Sequence, residues 1–293
     1  MSHPFPAQVF PGVVAKRASV APGEAWAPGV TKVDVDVDGH LAATVFLDLD
    51  PRPEKPAGAA HYTVVCGCDV EAGSALSSGG AAHEAWGLRK PARQTAVVAL
   101  LAGLGDTVGP GELTALAHEW GHVLHSTLAK STSQHLSGTR GATDVAELPS
   151  TKLEDVAVSR ETLAALFRGD EAATAAHLDA AAVEKRATAA WDTDLQLRLA
   201  RFDLALHSDC PQFLAAARAA DASSETTRFD PRPYAGLAHV VSQPATYYAY
   251  AYDRAVARDA LGDLDGDGGA ALRAFLEVAS EAEDPGALLR RRR

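Results

Sequence analysis

Hydrophobic and polar residues alternate with a period of two early in the chain. Residues 33–37 alternate valine with aspartate, Asp38-Gly39 then offers a hairpin turn, and a mainly apolar run follows over 41–49. Such alternation indicates a strand with one buried face, and Asp-Gly between two such runs is typical of a tight hairpin. A further strand fits 61–66. We therefore expect a small antiparallel sheet near the N-terminus.

Three stretches in the first hundred residues lack a clear period. Residues 1–29 are rich in Pro and Ala and predict an irregular or flexible lead-in, whereas 69–92 are rich in Gly, Ser and Ala and predict a loop. Residues 95–101 are mainly apolar, and a run of this length fits a strand or part of a helix equally well. The pattern therefore leaves 95–101 unassigned.

Helical spacing dominates the rest of the chain. From Glu112 nearly to the C-terminus, Ala, Leu and Arg recur at helical intervals. Breaks are expected near 131–144, 207–211, 221–245 and 262–269. The predicted fold is mainly α, of the α+β class, with one domain over 30–286 and a basic tail over 287–293.

Composition and charge narrow the function classes. The 293 residues include 27 Lys and Arg against 38 Asp and Glu, a net charge of −11, so we expect no nucleic-acid partner. No apolar run reaches the ~18 residues of a membrane span, and we expect no membrane contact. Cys66, Cys68 and Cys210 support neither a disulfide framework nor a cysteine zinc site, which fits a reducing compartment.

The strongest chemical signal is an H-E-x-x-H sequence, which on a helix is a zinc-peptidase motif. His118 and His122 lie one turn apart, so both imidazoles can face one ion. Glu119 is displaced by about 100° around the helix, where it can accept a proton from water without binding the metal. His125 shares the histidine face, and we expect it to be packed in the core or to sit behind the ligands.

A catalytic zinc usually takes three protein ligands, so one more must come from elsewhere. Four carboxylates follow the motif on the next segment: Asp144, Glu147, Glu154 and Asp155. Pro149 either begins a new helix there or kinks one, so the direction of each carboxylate is open. Spacing alone does not choose among the four.

The stretch 118–125 and the block 134–155 resemble the thimet oligopeptidase family of zinc peptidases, and details at 134–140 resemble its mitochondrial branch. The family pattern is H-E-x-G-H-x-x-H followed by G-T and by T-D-x-x-E-x-P-S. Upstream matches over 46–61 extend the resemblance to about residues 24–260. It implies a zincin-like helical peptidase domain that is only the catalytic half of the family's longer chains. It also implies that Glu147 is the third zinc ligand, with one Zn²⁺ per chain.

The same resemblance implies four further site residues. His239, Gln243 and Tyr247 correspond to substrate-binding positions, and Tyr250 corresponds to a tyrosine that donates to the oxyanion. Gln243 departs from the pattern, because the family has a glycine-tyrosine pair in this loop. Glu154 is interpreted as a carboxylate that orients a ligand histidine.

Together these features predict a zinc metalloendopeptidase that hydrolyses short peptides or presequence remnants. The alternatives are a catalytically impaired remnant that binds zinc and peptides, and an unrelated zincin such as an aminopeptidase. Expected partners are peptide substrates, together with self-association or a partner chain that supplies the missing half. The resemblance implies the mitochondrial matrix; the cytoplasm is the alternative, because prolines interrupt the amphipathic helix that a transit peptide needs.

Overall fold

The computed structural model describes residues 2–3, 10–53, 55, 58–69, 93–208, 212–221, 231–260, 268–279 and 282. The chain divides into two compact units. Unit 1 comprises 1–157 and 257–293, and unit 2 comprises 158–256. The sequence predicted a single domain over 30–286. The predicted basic tail and most of the predicted loop over 69–92 lie outside the described residues.

The strands of unit 1 form a six-stranded sheet and a separate two-stranded pair. In chain order they are β1 (Ser2–His3), β2 (Val13–Ala18), β3 (Thr31–Val37), β4 (His40–Asp48), β5 (Ala59–Val65), β6 (Cys68–Asp69), β7 (Arg93–Gln94) and β8 (Ala96–Ala102). The large sheet has the order β1-β2-β3-β4-β8-β5, and β6 pairs with β7. A mixed α+β fold with a small sheet near the N-terminus is thus confirmed.

The predicted hairpin joins β3 to β4, with Val33 opposite Val45 and Val37 opposite His40. Asp38 and Gly39 both have positive φ, as a type I′ turn requires. The irregular lead-in predicted for 1–29 is wrong at β2, which pairs antiparallel with β3. Val13 and Ala15 are buried at alternate positions of this strand. The alternation extends over few residues, and the surrounding Pro and Gly residues obscure it in the sequence.

The unassigned stretch at 95–101 falls in strand β8, which lies between β4 and β5 in the sheet. It runs parallel to β4 and antiparallel to β5, so the sheet is mixed rather than purely antiparallel. On one face of this strand Ala96, Val98 and Leu100 are buried, and on the other Ala99 is buried between the half-buried Val97 and Leu101, so both faces are at least partly covered. A strand covered on both faces shows no alternation, which explains why the period gave no assignment.

Helices follow from residue 110 onward, as predicted. In chain order they are α1 (Pro110–Leu128), α2 (Leu148–Ala157), α3 (Arg160–Leu166), α4 (Glu171–Leu206), α5 (Phe213–Asp221), α6 (Arg232–Ala235), α7 (His239–Ser242), α8 (Tyr248–Ala260) and α9 (Gly268–Ala279). Two 3₁₀ turns, Gly138–Arg140 and Thr143–Val145, occupy the predicted break between α1 and α2.

Each unit has its own core. In unit 1, α1 packs against β5, β8 and β4 on one side and against α2 and α9 elsewhere, with Val123 and Leu124 fully buried. In unit 2, Leu199, Phe202 and Tyr234 belong to a buried cluster formed by α4, α5 and α6. The free thiols of Cys66 and Cys68 are both buried.

Among the described residues, no helix has both the length and the apolar character that crossing a membrane demands.

Candidate metal centre

Helix α1 carries the H-E-x-x-H residues. Pro110 occupies the first helical position. The Glu112 carboxylate accepts a hydrogen bond from the Gly109 backbone N–H at 2.7 Å, which caps the N-terminus of the helix. The helix continues unbroken to Leu128. His118 and His122 therefore lie one turn apart on the same face, and their rings meet edge to face with centroids 5.0 Å apart.

Helix α2 approaches α1 very closely at Gly121. A Cβ at this position would lie within 2.6 Å of the Ser150 backbone nitrogen and 2.7 Å of the Pro149 carbonyl carbon. Pro149 is the second residue of α2, so it begins that helix rather than kinking it. Because the backbones can approach this far, Glu147, the residue before α2, reaches the histidine pair.

The three side chains converge on one point. Glu147 Oε2 lies 3.2 Å from His118 Nε2 and 3.3 Å from His122 Nε2. One ligand atom from each residue falls within 4.8 Å of the other two, and the described residues contain no other His, Cys, Asp or Glu group of this kind. Two imidazole nitrogens and a carboxylate oxygen form a donor set that suits Zn²⁺.

Glu154 fixes the orientation of His118. Its Oε1 lies 2.8 Å from His118 Nδ1, on the side of the ring opposite Glu147. A carboxylate hydrogen-bonded to the second ring nitrogen is common behind metal-ligating histidines. In the metal-free protein, burial lowers the pKa of His118, but the hydrogen bonds to Glu147 and Glu154 outweigh it and raise that pKa to about 10.

Glu147 is held by Ser150 in addition to the histidines. The Ser150 hydroxyl lies 2.8 Å from Glu147 Oε2 and also 2.8 Å from the Glu147 backbone carbonyl oxygen. Burial raises the pKa of the Glu147 carboxyl, but the hydrogen bonds from the two imidazoles outweigh it and hold that pKa well below its ordinary value. An ionised carboxylate is the form that binds a metal ion.

Glu119 lies beside this group without belonging to it. Burial raises the pKa of its carboxyl, and the charges of His122 and His118 partly oppose that effect. The backbone of His61 on β5 lies near this carboxyl and also acts to lower its pKa. A partly buried carboxylate with a raised pKa, next to a candidate metal site, is suited to accept and return a proton.

His125 lies deeper in α1 and is only 1% exposed. Burial lowers its pKa to about 3, so the imidazole is neutral at physiological pH. Neither ring nitrogen has a hydrogen-bond partner among the described residues. The structure therefore packs His125 in the core of unit 1, outside the candidate ligand group.

Unit 2 holds the four positions that the resemblance indicated. His239, Tyr247 and Tyr250 form an aromatic cluster, with ring centroids 5.0 Å apart for His239 and Tyr247 and 5.1 Å apart for the two tyrosines. His239 Nε2 also lies 2.9 Å from the Thr246 hydroxyl. Gln243 is exposed, and its backbone carbonyl accepts a hydrogen bond from that hydroxyl at 2.7 Å.

A buried carboxylate anchors the loop that contains these residues. Asp203 on α4 is fully buried and accepts hydrogen bonds from the backbone N–H groups of Ala245, at 3.0 Å, and Tyr247, at 2.9 Å. Ala245 has φ of 62°, an unusual conformation for a residue other than glycine. Asp203 thus fixes the backbone that leads into α8 and its tyrosines.

The geometry resolves the choice among the four carboxylates. Glu147 joins the two histidines and Glu154 supports one of them, whereas Asp144 and Asp155 are exposed. Sequence reasoning missed two neighbours of the site, Ser150 and His61. The serine lies inside the block that carried the resemblance, but His61 is 57 positions before His118 and no local pattern connects them.

Comparison with protein families matches residues 7–277 to peptidase family M3. Among individual relatives, the mitochondrial intermediate peptidase of Pyricularia oryzae is 32% identical over 92% of this chain and 37% of its own length. Mitochondrial intermediate peptidase 1 of Cryptococcus neoformans is 32% identical over 84% and 36%. The protein of that name from Neurospora crassa is 30% identical over 86% and 37%. The chain thus spans little more than a third of the length of these curated relatives.

Proposed function

Because the chain belongs to peptidase family M3, we propose that it is a zinc-dependent metalloendopeptidase that hydrolyses short peptides or presequence remnants. The observation that carries the proposal is the convergence of Glu147 Oε2 on the Nε2 atoms of His118 and His122, at 3.2 and 3.3 Å. The partly buried Glu119 beside this group supplies a base at the same place. An endopeptidase that uses water needs both of these features.

His118, His122 and Glu147 would hold one Zn²⁺, and their donor atoms suit that ion. Bound zinc supplies a Lewis acid that polarises the scissile carbonyl and makes water more acidic. Glu119 would take the proton of the attacking water and pass it to the leaving amine, a transfer favoured by a carboxyl pKa raised towards neutrality. Glu154 keeps the His118 ring in position through its bond to Nδ1.

The roles of the unit 2 residues are proposed on the family resemblance. Tyr250 would donate its hydroxyl to the oxyanion, which carries charge only as the reaction proceeds. His239, Gln243 and Tyr247 would contact the peptide. The ring cluster of His239, Tyr247 and Tyr250 and the loop anchored by Asp203 support this grouping, because they bring the three rings together in unit 2.

The name of the relatives supports peptide processing in mitochondria, and we propose the mitochondrial matrix as the location. The cytoplasmic alternative stays a prediction. Presequence remnants are the corresponding substrate class, since a peptidase in that compartment meets the products of earlier presequence cleavage.

Two substitutions on α1 test the function. Glu119→Gln should keep one zinc per chain and lose hydrolysis, because it removes the base, whereas His122→Ala should lose both, because it removes a ligand. Zinc content by metal analysis and cleavage of a pool of short peptides blocked at the N-terminus give the two readouts. Cleavage of blocked peptides also separates an endopeptidase from an aminopeptidase. A wild-type chain that binds zinc without cutting any peptide would support the impaired remnant instead.

We further propose that the chain self-associates or binds a partner chain that supplies the missing half. Supporting this, helix α4 exposes Val183 and Trp191, each at 59%. Large apolar side chains exposed to this degree favour association. Sedimentation should show dimers or larger species at micromolar concentration, and Val183→Lys with Trp191→Lys should shift the distribution to monomer. A wild-type chain that is monomeric and fully active would contradict the proposal.

A further inference from the structure

The two candidate ligand histidines differ in what orients their rings. His118 has Glu154 at its Nδ1, 2.8 Å away. His122 has no such partner: its Nδ1 is buried and hydrogen-bonds to none of the described residues. Metal-ligating histidines almost always bond through the second nitrogen, which fixes ring rotation. Among the described residues, contacts other than a hydrogen bond at Nδ1 therefore hold the His122 ring.

The ring of His61 packs against His122. The two ring centroids lie 5.7 Å apart, with the ring planes inclined by 41°. His61 lies on β5, the outermost strand on that side of the six-stranded sheet, where it stands opposite Leu100 of β8. The backbone of the same residue lies near enough to the Glu119 carboxyl to lower its pKa. One residue thus contacts a candidate ligand through its side chain and lies near the candidate base through its backbone.

Ser126 determines where His61 sits. The Ser126 hydroxyl lies 3.2 Å from His61 Nε2 and 3.4 Å from the Thr63 hydroxyl, which ties β5 to α1. Ser126 itself has little freedom, since it is 2% exposed and its backbone is closely approached by Gly138. A Cβ on Gly138 would come within 2.7 Å of Ser126 Cα. A rigid residue on the metal-binding helix therefore fixes the imidazole of His61.

We propose that His61 is a positioning residue of the metal centre. Held by Ser126, its ring restricts rotation of the His122 imidazole. His61 thus does for His122 what the Glu154 carboxylate does for His118: it fixes the orientation of the imidazole ring. The expected effect on peptide hydrolysis rests on the proposed function. The expected effect on metal binding does not depend on that function.

Zinc affinity, measured by competition with a chromophoric chelator, tests the proposal without any substrate. His61→Ala should weaken zinc binding by about 10- to 100-fold, the usual effect of removing an orienting partner. His61→Phe should bind zinc more tightly than His61→Ala, because it restores ring packing. In the cobalt-substituted protein, the visible spectrum of His61→Ala should differ from that of the wild type, since it reports ligand geometry.

A double-mutant cycle with Ser126 separates positioning from general destabilisation. Ser126→Ala should weaken zinc binding by itself, and the double variant should be no weaker than His61→Ala alone, because Ser126 acts through His61. Thr127→Val is the matched control: it is the next residue on α1, equally buried, and its hydroxyl bonds only to the Val123 carbonyl among the described residues. This control should bind zinc like the wild type.

Two results would overturn the proposal: wild-type zinc affinity in a folded His61→Ala, or additive losses in the cycle. If His61→Ala does not fold, His61→Phe and Ser126→Ala carry the same test. Where the wild type cleaves peptides, kcat should fall in His61→Ala with little change in KM, since the orientation of the His122 ligand is altered and substrate contacts are retained. A wild type that binds zinc without cleaving would refute the proposed function and leave the affinity cycle decisive for His61.

Discussion

Asp48, at the end of β4, shows how a single buried charge contributes to the scaffold under the site. Its side chain is 1% exposed and accepts hydrogen bonds from Arg52, at 2.7 and 2.6 Å, from Lys55 at 2.9 Å and from the Trp26 indole at 2.7 Å. Lys55 also donates to the Ala102 carbonyl at 2.6 Å, so the cluster joins the ends of β4 and β8. A buried charge is tolerated only when it is satisfied in this way.

This network predicts a loss of stability in acid. The hydrogen bonds from Arg52 hold the pKa of Asp48 well below its ordinary value, with further contributions from Lys55 and Trp26, against the opposing effect of burial. The folded chain therefore keeps this carboxylate ionised where the unfolded chain takes up a proton. Its contribution is complete above the unfolded pKa of about 4 and declines as the pH falls from there towards the lowered folded pKa.

Asp48→Asn should lower the free energy of unfolding at pH 7 by about 3 kcal/mol, because it leaves Lys55 buried without its anionic partner. Urea denaturation between pH 7 and pH 3 should show the gap to the wild type narrowing below about pH 4. Asp36→Asn is the control, since its ion pair with Lys16 is at the surface and should contribute less than about 1 kcal/mol. A gap that stays constant with pH would contradict the assigned linkage.

For single residues, the sequence predicted the features that depend on spacing along the chain. The four-residue interval of His118 and His122 indicated a shared ion, and the structure brings both to Glu147. Ser150 and His61 were not predicted, because their contacts depend on how α2 and β5 approach α1. The exposure of Asp144 and Asp155 depends equally on tertiary packing, so spacing alone left the four carboxylates equivalent, and only the family resemblance singled out Glu147.

Among the elements, the close packing of α1 on α2 decides whether the centre forms. Glycine inside a helix normally costs about 1 kcal/mol relative to alanine, so a glycine in mid-helix needs a reason. Gly121 has one, because the Ser150 and Pro149 backbone occupies the space of its missing Cβ. The close approach lets Glu147, just before α2, reach the imidazoles of α1.

Gly121→Ala should therefore reverse the usual helix preference. The added methyl must push α2 away, so we expect the free energy of unfolding to fall by about 1–3 kcal/mol and zinc affinity to fall with it. Gly111→Ala, in the same helix, is the control: no atom lies within 4 Å of the Cβ it would add, and stability should hold or rise by up to about 1 kcal/mol. Chemical denaturation and zinc titration of the two variants give the comparison. Equal behaviour would refute the packing argument.

Among the elements with one face towards water, the β3–β4 hairpin and α1 were predicted, whereas β2 was missed. The β3–β4 hairpin was predicted from alternation and from Asp38-Gly39. Helix α1 was predicted from helical spacing after Pro110. Strand β8 was not assigned, because burial on both faces removes the alternation that marks a strand. Its place between β4 and β5 depends on its parallel pairing with β4, which no local sequence pattern predicts.

For the whole molecule, the division into two units limits which part of the chain metal binding can stabilise. All three candidate ligands, with Glu154, Ser150 and His61, belong to unit 1. The aromatic cluster of His239, Tyr247 and Tyr250 belongs to unit 2, which has its own buried core around Phe202. Compact units with separate cores tend to open as separate cooperative units. The free energy of metal binding should therefore appear mainly in unit 1.

Amide hydrogen exchange with and without zinc tests this expectation. A ligand at 1,000 times its Kd stabilises the state that binds it by about 4 kcal/mol, so amides of α1 and α2 should exchange on the order of a thousandfold more slowly in zinc than after chelation. Core amides of α5, in unit 2, should change little, because no ligand lies there. The His122→Ala variant should show no zinc effect in either unit, which separates binding at this centre from general effects of the ion. Equal protection of α5 and α1 by zinc would show instead that the two units unfold together, and the metal would then stabilise the chain as a whole.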